Sequence, residues 1–466
     1  LFHIRSAVNG TGVDVGNATL ANLAGGSITV SSTATATALG NASATALGGD
    51  GFSSAEDSKG TVILVQAQAS GADEGTANST ITNAGSITAT FTSQATSTGE
   101  EGTANAVTIS NGTIRQIVEA GGPETFVGRV GTATLTNAAG GTINISAAAT
   151  SSAAGDSNAT AELGAAVLQN GEIIGVSNLA FNNAGTFSAA SSATADSTAA
   201  VANAAALARG VRQTGISIGG FNAAFSNAGN FTVSATADAD GDSSATGSAE
   251  AVGYQVISEP MALAVTNSGT FTVNANATSN GEAEASATGM EFFATIDPTT
   301  LPPEEGGGGA HGGGGGGGGG GEEEVVEDPW EGWTNSISGS VTNSGTIAVN
   351  ATATGATPVE GPFAFADALG VHFASAVNTA TFTNSGTINA TAITNGGISQ
   401  ATGILVSDFE ISPVLPGETD RMTIVNDGGT IIARVSSDGG ATFQRGTAID
   451  TLAAPNGVDI RFTGDS

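Results

Sequence analysis

The chain has 466 residues, of which 70 are glycine, with aromatic residues at 5 % and charged residues at 11 %, less than half the charge of an ordinary globular domain. Its 42 acids against 10 bases give a net charge of −32, which repels phosphate backbones and anionic membranes and leaves divalent cations to relieve the self-repulsion. There is no cysteine, so disulfides and thiolate metal sites are excluded, and no apolar run is long enough for a transmembrane helix. The chain opens at Leu1 rather than Met and shows no signal peptide, which marks it as processed or as a fragment.

From the N-terminus one phrase recurs: apolar–x–Asn–x–Gly–x–apolar. Its Asn falls at Asn22, Asn83, Asn137, Asn183, Asn227, Asn267, Asn343, Asn384 and Asn426. Two copies carry Ala24 and Ala139 in the Gly position. The tighter spacings cluster near 40 residues, as from Asn227 to Asn267, and the longer ones read as insertions. From Val265 the odd positions run Val, Asn, Gly, Phe271, Val273, Ala275, Ala277; the even ones are Thr, Ser and Asn. That period of two predicts a strand with one buried face. The expected inward residues include Phe231, Phe271, Ile347 and Ile388.

A second phrase follows each first one. It is an Ala-alternating run ending in Gly and an apolar residue: Gly210–Val211, Gly253–Tyr254, Gly289–Met290, Gly370–Val371 and Gly403–Ile404. Polar turns with Gly241 and Gly281 lie between, where glycine is expected to supply positive φ. The distance from Asn to the next apolar residue is four in most copies, but longer from Asn22 to Ile28, Asn137 to Ile143 and Asn426 to Ile431. A slip inside a flat strand would turn every later side chain over, so a corner or bulge must sit at this Gly.

Strands recurring with corners at a fixed period predict an all-β fold, a right-handed parallel β-helix (β-solenoid) of about nine repeats. Each repeat is one wide coil or two narrow ones. In the first case the Asn side chains come close enough to stack as a hydrogen-bonded ladder while Gly takes the bend; in the second they are too far apart. The expected organisation is solenoid over 1–300, an inserted Gly/Glu-rich loop over 301–333, and solenoid resumed over 334–466. The glycine tract lacks the Lys-Ser/Thr that a phosphate loop needs.

Chemistry-bearing residues are sparse. Asp238, Asp240 and Asp242 stand at alternate positions and are the candidate metal ligands, for Ca²⁺. The match to a Ca²⁺ loop is poor, because Gly241 comes fourth and Ala249 stands where a terminal Glu belongs. His3, His311 and His372 are far apart, which speaks against a triad or a zinc site. Paired carboxylates for glycoside hydrolysis lack the aromatics and bases that usually accompany them, with two Trp and one Tyr in the chain. Trp330 and Trp333 flank the glycine tract and read as pins at the loop base. The Asn-x-Thr triplets at Asn276, Asn350 and Asn389 are what this composition makes by chance.

The phrases "VTNSGTI", "ITNAGSI" and "FTNSGTI", with Ala/Thr alternation between them, resemble the passenger repeats of Gram-negative autotransporters and filamentous-haemagglutinin-like adhesins. The resemblance covers nearly the whole chain outside residues 301–333. It implies an extracellular solenoid displayed on, or shed from, the bacterial outer surface, acting in adhesion, aggregation or biofilm. One departure is that the chain stops at "DIRFTGDS" without the strands of a membrane barrel. The expectation is therefore a non-enzymatic surface protein, with self-association or surface ligands as partners and no nucleic acid. The alternatives are a self-assembling subunit of a filament or surface layer, and a β-helical polysaccharide-degrading enzyme.

Loop-closure cost grows by only about 0.6 kcal/mol per doubling of length. Deleting residues 304–328 is accordingly expected to leave the melting temperature almost unchanged. A drop of many degrees in the isolated molecule would show that the segment belongs to the fold.

Overall fold

The computed structural model describes residues 2–8, 13–47, 61–69, 74–120, 129–294 (without 174, 218 and 259), 336–407 (without 357–363 and 376), 422–451 and 458–463. Residues 301–333, with Trp330, Trp333 and His311, lie outside them. Among the described residues there are strands and no helix, hence no helix that could cross a membrane. The strands form three parallel sheets of 11, 11 and 10 members. Apart from strands interrupted within a sheet, as Ala42–Leu47 and Ile63–Ala69 are in the first, the chain visits the sheets in rotation, as a right-handed parallel β-helix. A representative coil runs Met261–Asn267 in the second sheet, Thr270–Ser279 in the third and Glu282–Phe293 in the first. The next coil begins at Ser336–Asn343.

This settles the coil width. Asn227 pairs in register with Asn267, and Asn267 with Asn343, so each copy of the phrase is one wide coil of three strands. The second and third sheets meet at the Asn-x-Gly corner, and the inward parity runs through it unbroken. Val265, Asn267, Phe271, Val273, Ala275 and Ala277 are all buried, and Thr266, Thr270, Asn276 and Thr278 are exposed. Phe231, Phe271, Ile347 and Ile388 lie inside, as the period of two requires.

The nine corner asparagines form one continuous ladder. Asn22 Nδ2 donates to Asn83 Oδ1 at 2.7 Å. The same donor-to-acceptor sense then repeats at 2.8 Å through Asn137, Asn183, Asn227, Asn267, Asn343, Asn384 and Asn426. A second bond goes from the same Nδ2 to a backbone carbonyl one coil on, as from Asn267 to Thr346 O at 3.1 Å. Buried carboxamides are thereby satisfied in a corner where water cannot reach them.

The corner glycines serve space rather than torsion. Gly229, Gly269, Gly345 and Gly386 are not at positive φ. A Cβ on any of them would run into the carbonyl oxygen of the corner glycine in the preceding coil. The same correction applies to Gly241 and Gly281, where positive φ was expected: a Cβ there would strike Ser244 O and Ala245 O respectively. Positive φ appears where the corner is longer, at Gly25 (79°), Gly140 (83°) and Gly428 (65°). There the extra residues bulge outward with nothing near a would-be Cβ, so Ile28 still pairs with Ile87 and Ile143 with Ile87 from the other side.

In the first sheet the second phrase does not end a strand. Strand Ser244–Ile257 runs straight through Gly253, but its phase slips by one: Ala249 and Ala251 point inward before it, Tyr254 and Val256 after it. The glycine is needed because the core arrives there. A Cβ on Gly253 would sit 2.6 Å from Phe271 Cε1, and one on Gly210 would sit 2.8 Å from Phe231 Cζ. Gly370 and Gly403 yield the same space to Ile388 and Ile431.

The middle coils carry an aromatic column. Phe187, Phe231 and Phe271 stack at 4.5 and 4.6 Å, nearly coplanar at 10° and 4°. Phe225 meets Phe231 edge-on at 5.5 Å and stacks on Tyr254 at 4.5 Å. Nearer the N-terminus the core is partly polar, which the sequence reading did not anticipate. Gln169 Nε2 donates to Gln116 Oε1 at 2.7 Å, Gln213 Nε2 to Gln169 Oε1 at 2.6 Å, and Tyr254 Oη to Gln213 Oε1 at 2.6 Å. These amides also reach second-sheet carbonyls, as from Gln116 to Thr134 O at 3.0 Å. They tie the first sheet to the second. Burial pushes the Tyr254 hydroxyl pKa well above its ordinary value, so it stays a donor.

Two substitutions check this arrangement. Asn267→Ala leaves Asn343 Oδ1 without its donor and is expected to cost about 1–3 kcal/mol. Phe271→Ala opens a cavity in the column and is expected to cost about 3–5 kcal/mol. Hydrogen exchange is expected to show both losses centred on coils 221–293, because coils contact only their neighbours. Protection unchanged at those coils would contradict the ladder and the inward parity.

Candidate functional surfaces

The three corners differ in tolerance. The second-to-third corner is short in every coil. The first-to-second corner varies most, from the connection between Ile173 and Val176 to that between Phe293 and Ser336. The connections between Ala120 and Val130 and between Ser407 and Met422 join the same two sheets. Length variation is thus greatest along one seam of the prism, with further insertions between Leu47 and Ile63 inside the first sheet and between Thr354 and Ala364 at the third-to-first corner; in repeat architectures insertions gathered on one side often mark the binding side.

The outer side of the third sheet is chiefly a neutral polar lattice. Thr232 pairs with Thr272, and Asn350 Nδ2 donates across coils to Asn274 Oδ1 at 2.9 Å. Its acids lie toward the strand ends. Asp238 and Asp240 project from one strand, exposed, and Asp242 sits in the following turn. The Asp240 carboxylate accepts Asn280 Nδ2 at 2.6 Å, and Asp196 is its register partner in the preceding coil. Among the described residues no group of three or more His, Cys, Asp or Glu is arranged to hold a metal ion.

The outer side of the first sheet is different. Arg5, Arg115, Arg209 and Arg212 lie there, four of the chain's 10 bases. Arg209 pairs with Glu250 at 2.9 Å, a surface contact of small energetic weight. Beyond the glycine slip, one register row runs Arg212, Gln255, Glu291, His372, Leu405. Gln255 Nε2 donates to Glu291 Oε2 at 2.8 Å. His372 Nδ1 stands 3.9 Å from Glu291 Oε1, both side chains being 15 % exposed. His372 Nε2 is 2.9 Å from Ser407 Oγ. The adjacent row runs Ile257, Phe293, Ala374, Ser407, and the Phe293 ring meets the imidazole edge-on at 5.4 Å.

The two described histidines do not converge: His3 begins the row that contains His372, at its far end. What the spacing could not show is that His372 meets a glutamate and a serine from other coils. The only signal was indirect: each of the three follows a Gly–apolar pair by a fixed small step, Glu291 and His372 by one residue and Ser407 by three.

Fold and surfaces define a three-sheeted right-handed parallel β-helix with an amide-laddered corner and one variable seam. No protein family, curated protein or solved structure matches the chain.

At the C-terminal end the third sheet stops in an antiparallel hairpin, Arg434–Val435 against Gln444–Arg445. Asp438 organises that turn. Its carboxylate accepts the Thr442 hydroxyl and amide and the Ser436 hydroxyl, which lower its pKa to about 2. The folded value lies below the unfolded one. Its contribution is therefore full above the ordinary carboxylate range and is lost as pH falls through about 2. The Thr442 amide is expected to lose exchange protection over that window, and Asp438→Asn to remove the pH dependence. Protection that stays flat between neutral pH and acid would dissociate the turn from this carboxylate.

Proposed function

We propose that the protein is an extracellular solenoid of the bacterial surface, of the autotransporter-passenger or filamentous-haemagglutinin type, that acts in adhesion or cell–cell aggregation. The observation that carries the proposal is the combination of a rigid in-register rod with its largest length variation along one seam. A rod holds that seam away from the cell, and the seam supplies variable contacts. The acidic, lysine-poor surface keeps such a rod soluble and unattracted to anionic lipid. Clustered exposed acids along it favour contacts bridged by divalent cations, Ca²⁺ first.

A filament or surface-layer subunit is the second reading. The C-terminal hairpin weighs against simple end-to-end growth, because a reversed Gln444–Arg445 strand blunts the third sheet there. Cells displaying the chain are expected to aggregate or adhere more than cells that do not, reversibly with chelator. Purified chain is expected to appear as single rods in electron micrographs. Display without any gain in adhesion or aggregation overturns the first reading; long regular fibres establish the second.

A further inference from the structure

We propose that Ser407 is a nucleophile served by His372 and Glu291, and that the protein cleaves carboxylic esters with apolar acyl groups there. This goes beyond the scaffold reading and does not depend on it. The atoms stand in the order of an acyl-transfer relay: Ser407 Oγ, 2.9 Å to His372 Nε2, then His372 Nδ1, 3.9 Å to Glu291 Oε1. Catalytic contacts of this kind are often long without substrate. The other carboxylate oxygen is held by Gln255 at 2.8 Å, so the acid is oriented from behind.

Each member stands on a sheet strand, in successive coils, and the parallel register fixes their relation: Glu291 against His372, Ala374 against Ser407. Rigid elements hold such constellations better than loops do. Imidazole and carboxylate are mostly withdrawn from solvent, 15 % exposed each, which strengthens their attraction once the imidazole is charged. The substrate class follows from the neighbouring row. Ile257 and Phe293 make a half-buried apolar strip that ends against the His372 imidazole beside Ser407, with the buried Ala374 lying between Phe293 and Ser407 in the row. An acyl chain laid along it brings its carbonyl to Oγ.

The step balances without a cofactor. Oγ bonds to the carbonyl carbon and its proton passes to His372 Nε2. The tetrahedral intermediate expels the alkoxide, which takes that proton. Water repeats the sequence, releases the carboxylic acid and restores Ser407. Glu291 orients and steadies the imidazolium. Strand N–H groups are largely spent in the sheet, so oxyanion support is modest and covalent labelling is the sharper readout.

The intact chain is treated with a fluorophosphonate and the modified peptide is located by mass spectrometry; hydrolysis of p-nitrophenyl butyrate and acetate is followed in parallel. Labelling at Ser407, butyrate preferred over acetate, and a loss of at least about 100-fold in His372→Gln are expected. Glu291→Gln is expected to lower the rate with the melting temperature unchanged, and Phe293→Ala to erase the acyl preference. Ser407 unlabelled while a known serine hydrolase in the same tube reacts overturns the proposal. So does labelling of equal rate in wild type and His372→Gln, which marks an ordinary surface hydroxyl. Because both outcomes are read on wild type and on a histidine variant, a Ser407→Ala chain that fails to fold does not shelter the proposal.

Discussion

A buried carboxamide must find both a donor and an acceptor, and at the Asn-x-Gly corner the side-chain partner in reach is its own copy one strand spacing away, with a backbone carbonyl taking the second N–H. That requirement organises the rest of the molecule. It makes the coil as long as the sequence repeat and fixes neighbouring coils in register. It also sets the inward parity of everything that follows. All eight inter-asparagine bonds run in one sense, from Nδ2 of one coil to Oδ1 of the next. Aligned amides polarise one another, so the ladder is stronger than isolated pairs. Where the corner is short, the glycine two residues on is its steric counterpart, since stacked corners such as Gly229, Gly269, Gly345 and Gly386 leave no room for a Cβ.

Much of the fold was legible because it is periodic. Alternation placed Phe231, Phe271, Ile347 and Ile388 inside, and the variable corner lengths at Asn22, Asn137 and Asn426 announced a corner. The width of the coil was not legible, since the spacing of a phrase says nothing about which copy lies over which. The glycines were misread for a related reason. Sequence shows that a residue is small, not whether torsion or a neighbouring coil demands it. At Gly253 and Gly210 the demand comes from a phenylalanine in another sheet. The Gln116–Gln169–Gln213 ladder went unseen because three glutamines in a polar chain carry no period by themselves. His372 and Ser407 lie a coil apart, and Glu291 is set off from His372 by the long connections before Ser336 and Ala364, so only the register brings the three together.

The core also shows how a chain poor in large side chains fills a wide prism. Alanine lines the long flat stretches, and volume is concentrated where three sheets converge. In the middle coils phenylalanines supply it in a stacked column; toward either end Ile and Val take their place at the same register positions, as Ile143 does beside Phe187. Such swaps between coils are tolerated because each coil needs only to fit its two neighbours.

The uneven tolerance of the three corners bears on how the gene can change. A coil begins and ends with the same asparagine, so duplication or loss of a whole coil rejoins one ladder rung to an equivalent one. Unequal recombination between repeats therefore lengthens or shortens the rod without a frustrated intermediate. Long insertions fit at the first-to-second corner, where the connections reach from Phe293 to Ser336, whereas the Asn-x-Gly corner takes only a residue or two. The result is a molecule whose reach and whose contacts are inherited separately: reach by copying coils, contacts by rewriting one edge.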